Sequence, residues 1–205
     1  MTARRIAVVT AGLGKPSSTR LLADRLAQVT VDELARIGVM ATVETVELRD
    51  IAHDIVNAML TGFPSGALDG VLQTVTGADA LIAVTPLYTT TYSGLFKSFV
   101  DILDKDALVG MPVLLGATGG TPRHSLALEY SVRPLFTYLH AETVTTSVFA
   151  ATDDWAAGTD AVASLPARIT RAAAELAAAV VARPASRLVD PFTGAPSFAD
   201  LLGDS

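Results

Sequence analysis

Short apolar runs that alternate with helix-period segments constrain this chain more than any other feature. The runs are Ile6–Thr10, Ala80–Thr85, Pro112–Ala117 and Thr143–Phe149, with a more polar one over Ala41–Leu48. Apolar runs of this length, bounded by turn residues, read as strands. After the first run, Ala23, Leu26, Ala27, Leu34 and Ile37 share one helical face, and Gly38 is placed to end that helix. Phe96, Phe99, Val100 and Leu103 make a second stripe, and Leu165, Ile169, Ala173, Leu176 and Val180 a third. Strands that alternate with helices imply right-handed crossovers and a parallel sheet covered on both faces.

Strand character then sets the order. The runs at 6–10, 80–85 and 112–117 are continuously apolar, as central strands buried on both sides must be. The runs at 41–48 and 143–149 carry Thr and Glu in alternation, which suits edges. The expectation is a flavodoxin-like α/β three-layer sandwich, with a five-stranded parallel sheet in the order 2-1-3-4-5. Beyond Ala182 the composition shifts to Arg183-Pro184, Pro191, Gly194 and Pro196, ending in Phe198-Ala199-Asp200-Leu201-Leu202. Residues 1–182 are therefore read as one domain and 183–205 as an extended tail with a short apolar anchor.

Composition narrows the function classes. Half of the 205 residues are hydrophobic, enough to bury a large core. A net charge of −6 would repel a nucleic-acid backbone or an anionic membrane, so neither is expected as a partner. The chain has no cysteine, which removes thiol redox chemistry, and its histidines, His53, His124 and His140, are scattered, so no metal site is expected. A redox role would need a borrowed cofactor. The apolar run after Arg4-Arg5 stops at Gly12, Gly14 and Pro16, too short for an export signal, and no stretch reaches the roughly 20 apolar residues of a membrane span. The expected location is the cytoplasm.

Ligands of such sheets bind beyond the carboxyl ends of the strands, where the strand order reverses. The loops after positions 10, 85 and 117 should then be unusual, and they are. The first reads Thr10-Ala11-Gly12-Leu13-Gly14-Lys15-Pro16-Ser17-Ser18-Thr19-Arg20. Its small residues allow a tight turn, and hydroxyls gather at a helix start whose dipole favours an anion. Ordinary N-capping would account for one hydroxyl but not three. A P-loop needs Ser or Thr directly after Gly-Lys, yet Pro16 follows Lys15. A dinucleotide fingerprint needs a third glycine where Ser17 stands, so a terminal phosphate monoester fits better.

The second loop, Thr85-Pro86-Leu87-Tyr88-Thr89-Thr90-Thr91-Tyr92-Ser93-Gly94, offers tyrosine faces for a ring system and threonines for its polar edge. The third, Gly116-Ala117-Thr118-Gly119-Gly120-Thr121-Pro122-Arg123-His124, lets backbone N–H groups approach a flat ligand. Such donors suit the pyrimidine end of a flavin, where reduction leaves negative charge.

Together these loops resemble the NAD(P)H-dependent FMN reductase family of the flavodoxin-like fold, in particular reductases that supply two-component and luciferase-like monooxygenases. The likeness spans roughly Ile6 to Asp153. It includes Ala117-Thr118-Gly119-Gly120-Thr121, the segment Leu126-Ala127-Leu128-Glu129-Tyr130-Ser131-Val132-Arg133-Pro134-Leu135, and Thr85-Pro86-x-Tyr88 with Gly94-x-x-Lys97. The Asp190-Pro191-Phe192 tail is similar to that of the luciferase-partnered reductases. The resemblance implies that Ser17, Thr19 and Arg20 hold the FMN phosphate. It implies that Pro86, Leu87, Tyr88, Thr89 and Thr90 lie along the flavin and ribityl chain, and that Thr118, Gly119 and Gly120 meet the flavin edge. The family's early loop arginine is replaced here by Gly14, with Lys15 beside it.

The implied activity is hydride transfer from nicotinamide C4 of NAD(P)H to flavin N5, with no catalytic acid or base, and delivery of reduced FMN to a monooxygenase. Alternatives are a quinone or azo reductase that retains its FMN, or a flavodoxin-type electron carrier. Pro134 lies inside a helical pattern, lacks an N–H and frees the carbonyl of Tyr130, so a bend or bulge is expected there. In related reductases this region meets another subunit, which implies a homodimer or homotetramer.

Overall fold

A computed structural model describes residues 3–64, 66–155 and 164–184. The three apolar runs form β1 (Arg4–Thr10), β3 (Ala80–Tyr88) and β5 (Pro112–Gly119). They lie side by side, parallel, with β2 (Ala41–Glu47) outside β1. Thr42, Val43 and Glu44 of β2 are exposed, as its alternating pattern requires of an edge.

The helices are α1 (Ser18–Arg36), α2 (Ala52–Thr61), α3 (Ala67–Thr76), α4 (Gly94–Asp101), α5 (Arg133–Tyr138) and α6 (Leu165–Ala182). Alternate residues of β1 feed two cores. Ile6 and Val8 pack against Leu22 and Leu26 of α1 and Leu176 of α6. Ala7 and Val9 join a core with Ile55 of α2, Leu68 of α3, Phe96 of α4 and Phe136 of α5. This is the three-layer α/β sandwich. Gly38 ends α1 at φ 77, with Gly38 N–H on the Ala35 carbonyl at 3.0 Å and Val39 N–H on Leu34 at 2.9 Å. Ile37, expected on the buried face, is 45% exposed, because the helix has already closed at that residue.

The sheet has seven strands rather than the expected five, and its main path runs β2-β1-β3-β5-β6. β4 (Thr91–Tyr92) is a short antiparallel return on β3. The run expected at 143–149 is divided into β6 (Glu142–Thr143) and β7 (Val148–Ala151), both parallel to β5. Arg133 explains the break. Its guanidinium donates to the Val144 carbonyl at 2.9 Å and the Thr145 carbonyl at 3.2 Å, so the intervening backbone bonds to a side chain. The proline prediction holds: Leu128–Val132 is a π-helical turn leading into α5, and Arg133 N–H reaches back to the Leu128 carbonyl. α6 ends at Ala182, and the expected tail from residue 185 onward lies outside the described residues. No helix among the described residues is long and apolar enough to cross a membrane.

Candidate functional site

The registers Thr10↔Val84 and Thr85↔Ala117 bring the ends of β1, β3 and β5 to one rim of the sheet. The loops leaving them enclose a cavity of about 430 Å³, within the usual size of small-molecule sites. A cavity of about 400 Å³ between β2 and α3, lined by Arg5, Glu44 and Gln73, lies away from these loops.

The first loop contributes Gly12, Gly14, Ser17, Ser18 and Thr19 to the lining. Ser17 caps α1, its hydroxyl accepting the Arg20 N–H at 3.2 Å. No acidic residue stands in the first turn of this 19-residue helix, so no first-turn carboxylate opposes an anion at its positive end. A Cβ on Gly12 would lie 2.0 Å from the Ser17 hydroxyl, so a side chain there would displace the Ser17 cap. The Thr19 hydroxyl is buried and bonds the Thr118 hydroxyl at 2.8 Å, tying the first loop to the third.

Arg20 is directed elsewhere. Its guanidinium donates to Asp24 and to Glu47, each at 2.7 Å, and it lies outside the cavity lining. The hydrogen bond to Asp24 chiefly raises its pKa, with Glu47 adding to the effect. Arg49, which sequence reasoning did not single out, pairs with the same Glu47 and donates to the Gly14 carbonyl. Glu47 thus gathers two arginines behind the first loop. Its place at the end of a strand was visible in the sequence, but that Arg49 turns back onto the loop was not.

Pro86, Leu87 and Tyr88 line the cavity from the second loop. The chain turns back through Thr89 (φ 49) and Thr90 (φ 75), so that Tyr88 pairs with Thr91. A two-residue turn with both φ values positive matches the twist of a hairpin, although it is rare for β-branched residues. Thr89 and Thr90 form the exposed tip and lie outside the lining. Below the tip, the buried Thr85 hydroxyl accepts the Ser93 N–H at 3.1 Å and donates to the Pro86 carbonyl at 2.9 Å.

The third loop is an extension of β5. Thr118 pairs with Pro86 of β3 and Gly119 with Ala151 of β7, and Thr118, Gly119 and Gly120 all line the cavity. A Cβ on Gly119 would meet the Phe149 ring at 2.9 Å, whereas one on Gly120 would meet nothing within 4 Å. The backbone at Gly120 is therefore open to close approach by a flat ligand.

Of the residues expected at the site, the structure brings together Ser17, Thr19, Pro86, Leu87, Tyr88, Thr118, Gly119 and Gly120. It adds a fourth wall, Ala150, Thr152 and Trp155, from the end of β7 and the short 3-10 turn Thr152–Trp155. The sequence offered one signal for this wall, the chain's single tryptophan just after the last strand. Among the described residues, no group of three or more His, Asp or Glu could hold a metal ion.

Residues 4–156 match the NADPH-dependent FMN reductase family. An FMN reductase (NADPH) of Pseudomonas aeruginosa is 35% identical over 176 residues, covering 85% of this chain and 90% of the relative. An NADH-dependent FMN reductase, SfnE, of Pseudomonas putida is 35% identical over 172 residues, covering 84% and 90%. An oxidoreductase from Corynebacterium diphtheriae of known structure superposes with a TM-score of 0.85 at 42% identity, covering 89% of this chain and 99% of that one.

Proposed function

We infer that this chain, which belongs to the NADPH-dependent FMN reductase family, takes FMN into the three-loop cavity and reduces it there. It is an NAD(P)H:FMN oxidoreductase. The observation that carries the site is the convergence of three separate loops, and of the predicted residues on them, around one cavity at the rim.

The residues present fit the group. The phosphate belongs at the first loop, where Ser17, Ser18 and the start of α1 offer hydroxyls and helix-start N–H groups without a carboxylate in the first turn. Thr19 acts from beneath, through its bond to Thr118, by holding the two loops at a fixed spacing. Pro86, Leu87 and Tyr88 lie along the ring and ribityl chain, and Gly119 and Gly120 bring backbone N–H groups to its pyrimidine edge. When bound, FMN supplies the redox chemistry by accepting at N5 the hydride that leaves nicotinamide C4. The chain's own task is to orient the two rings and to stabilise the charge that reduction leaves. Arg20 acts through Glu47 and Asp24 on the loop rather than on the phosphate.

Reduced FMN passes to a flavin-dependent monooxygenase in the cytoplasm. A first loop that is exposed at Leu13 and Gly14 suits a flavin that enters and leaves. The active form is a homodimer or homotetramer, with the exposed Leu126, Tyr130 and Tyr138 around the π-helical turn as its contact surface.

Steady-state NAD(P)H oxidation with FMN, set against a quinone as acceptor, tests this reading. Saturable turnover of FMN is expected. Turnover of quinone alone, with flavin retained by the protein, would assign the chain to the quinone reductases instead.

A further inference from the structure

We propose that Trp155, backed by Arg25, is the wall that closes the phosphate end of the cavity and makes the site select FMN over riboflavin. The proposal rests on FMN occupying the three-loop cavity.

Trp155 lines the cavity together with the first loop. The turn that carries it is fixed from two sides: Asp154 accepts the Ala151 N–H at 2.8 Å and pairs with Arg168 of α6. The indole packs against the core beneath α1 and α6, so its position is set by packing as well as by the turn. Arg25 of α1 lies over the ring, with its guanidinium carbon 5.0 Å from the centroid, within cation–π range. Arg25 makes no ion pair or hydrogen bond among the described residues.

Position makes the pair specific to one end of the ligand. Ser18 and Arg25 are seven residues apart on α1, which puts them on the same helical face. Ser18 and Trp155 both line the cavity, and Arg25 links the indole to the helix that Ser18 begins. Arg20 is paired with Asp24 and Glu47, whereas Arg25 is a nearby cation with no carboxylate partner among the described residues. A dianionic phosphate at the start of α1 would lie about 10 Å along the helix axis from Arg25, roughly one screening length, so that charge adds a modest attraction. Riboflavin, which has no phosphate, would gain only the apolar contact.

KM values for FMN and for riboflavin should be measured in the wild type and in Trp155→Leu, Trp155→Phe and Arg25→Gln. Trp155→Leu is expected to raise KM for FMN about tenfold, with a smaller effect on riboflavin and on kcat at saturating flavin. Trp155→Phe should recover most of that loss by restoring a ring. Arg25→Gln should raise KM for FMN roughly twofold to threefold and leave riboflavin unmoved. If Trp155→Leu fails to fold, the FMN-to-riboflavin ratio of Arg25→Gln decides the question. Unchanged KM for FMN in both Trp155→Leu and Arg25→Gln, or equal changes for the two flavins, would overturn the proposal while leaving the reductase reading intact. A wild type that turns over no FMN would remove the reductase reading itself.

Discussion

The first and third loops face the same cavity but are held in place by different means. The third is strand continued: Thr118 and Gly119 remain in register with β3 and β7, and Gly119 rests on the Phe149 ring. The first leaves the sheet at Ala11 and stays exposed through Leu13, Gly14, Lys15 and Pro16, braced by the Arg49 contact with the Gly14 carbonyl. One edge is therefore set by ladder hydrogen bonds and core packing, the other by charged side chains partly in water. The contrast fits the proposed division of labour. A flavin ring has to be aligned for hydride transfer, which needs a rigid frame. A phosphate needs only a concentration of donors, which a looser loop can provide and release.

The contrast can be broken by disturbing each side in turn. Gly119→Val should be the most damaging change, because its Cβ would meet the Phe149 ring at 2.9 Å and displace the third loop. A displacement of that kind costs on the order of a hundredfold in kcat/KM for FMN, measurable by steady-state NAD(P)H oxidation. Ser17→Asp places a carboxylate against the phosphate and should weaken FMN binding by about tenfold or more, read by quenching of flavin fluorescence. Unchanged affinity would remove Ser17 from the site.

Glu47→Gln sharpens the comparison, because Glu47 holds both Arg20 and Arg49 behind the first loop. Freeing those cations should tighten FMN binding a few-fold, roughly the worth of one partly exposed ion pair of about 1 kcal/mol. Weaker binding would mean that Glu47 matters more as a brace than as a counter-charge. The smallest effect lies away from both loops, at Glu129. The Arg133 guanidinium, helped by Ser147, holds its carboxyl below the usual glutamate range. The stability this contributes is complete above the ordinary glutamate value and is lost as pH falls through the lowered one. Glu129→Gln should therefore lower the denaturant midpoint slightly at neutral pH, and the gap from the wild type should close as pH falls below the ordinary glutamate value of about 4.3.

How far the sequence could be read depended on the range of the interactions involved. The central strands, the α1 stop at Gly38 and the π-helical turn before Pro134 all follow from local patterns, so they were legible. The three loops were legible because the strand order of the sheet predicts where they meet. The division of the last strand was not, because it depends on Arg133 reaching carbonyls eleven and twelve residues ahead. The pairing of Arg20 with Glu47 and Asp24 was not legible either, since adjacency in sequence cannot show which carboxylates a guanidinium will meet. Trp155 stood out only as the single tryptophan after the last strand; its place at the site was hidden, because its neighbours there come from α1 and the first loop, more than a hundred residues earlier.

The division of labour between the loops is tested most directly by equilibrium binding of FMN and riboflavin to the wild type, Ser17→Asp and Gly119→Val. The account predicts that Ser17→Asp loses FMN affinity but keeps that for riboflavin, while Gly119→Val loses both. Equal losses of both flavins in Ser17→Asp, or a Gly119→Val protein that binds both as the wild type does, would contradict it.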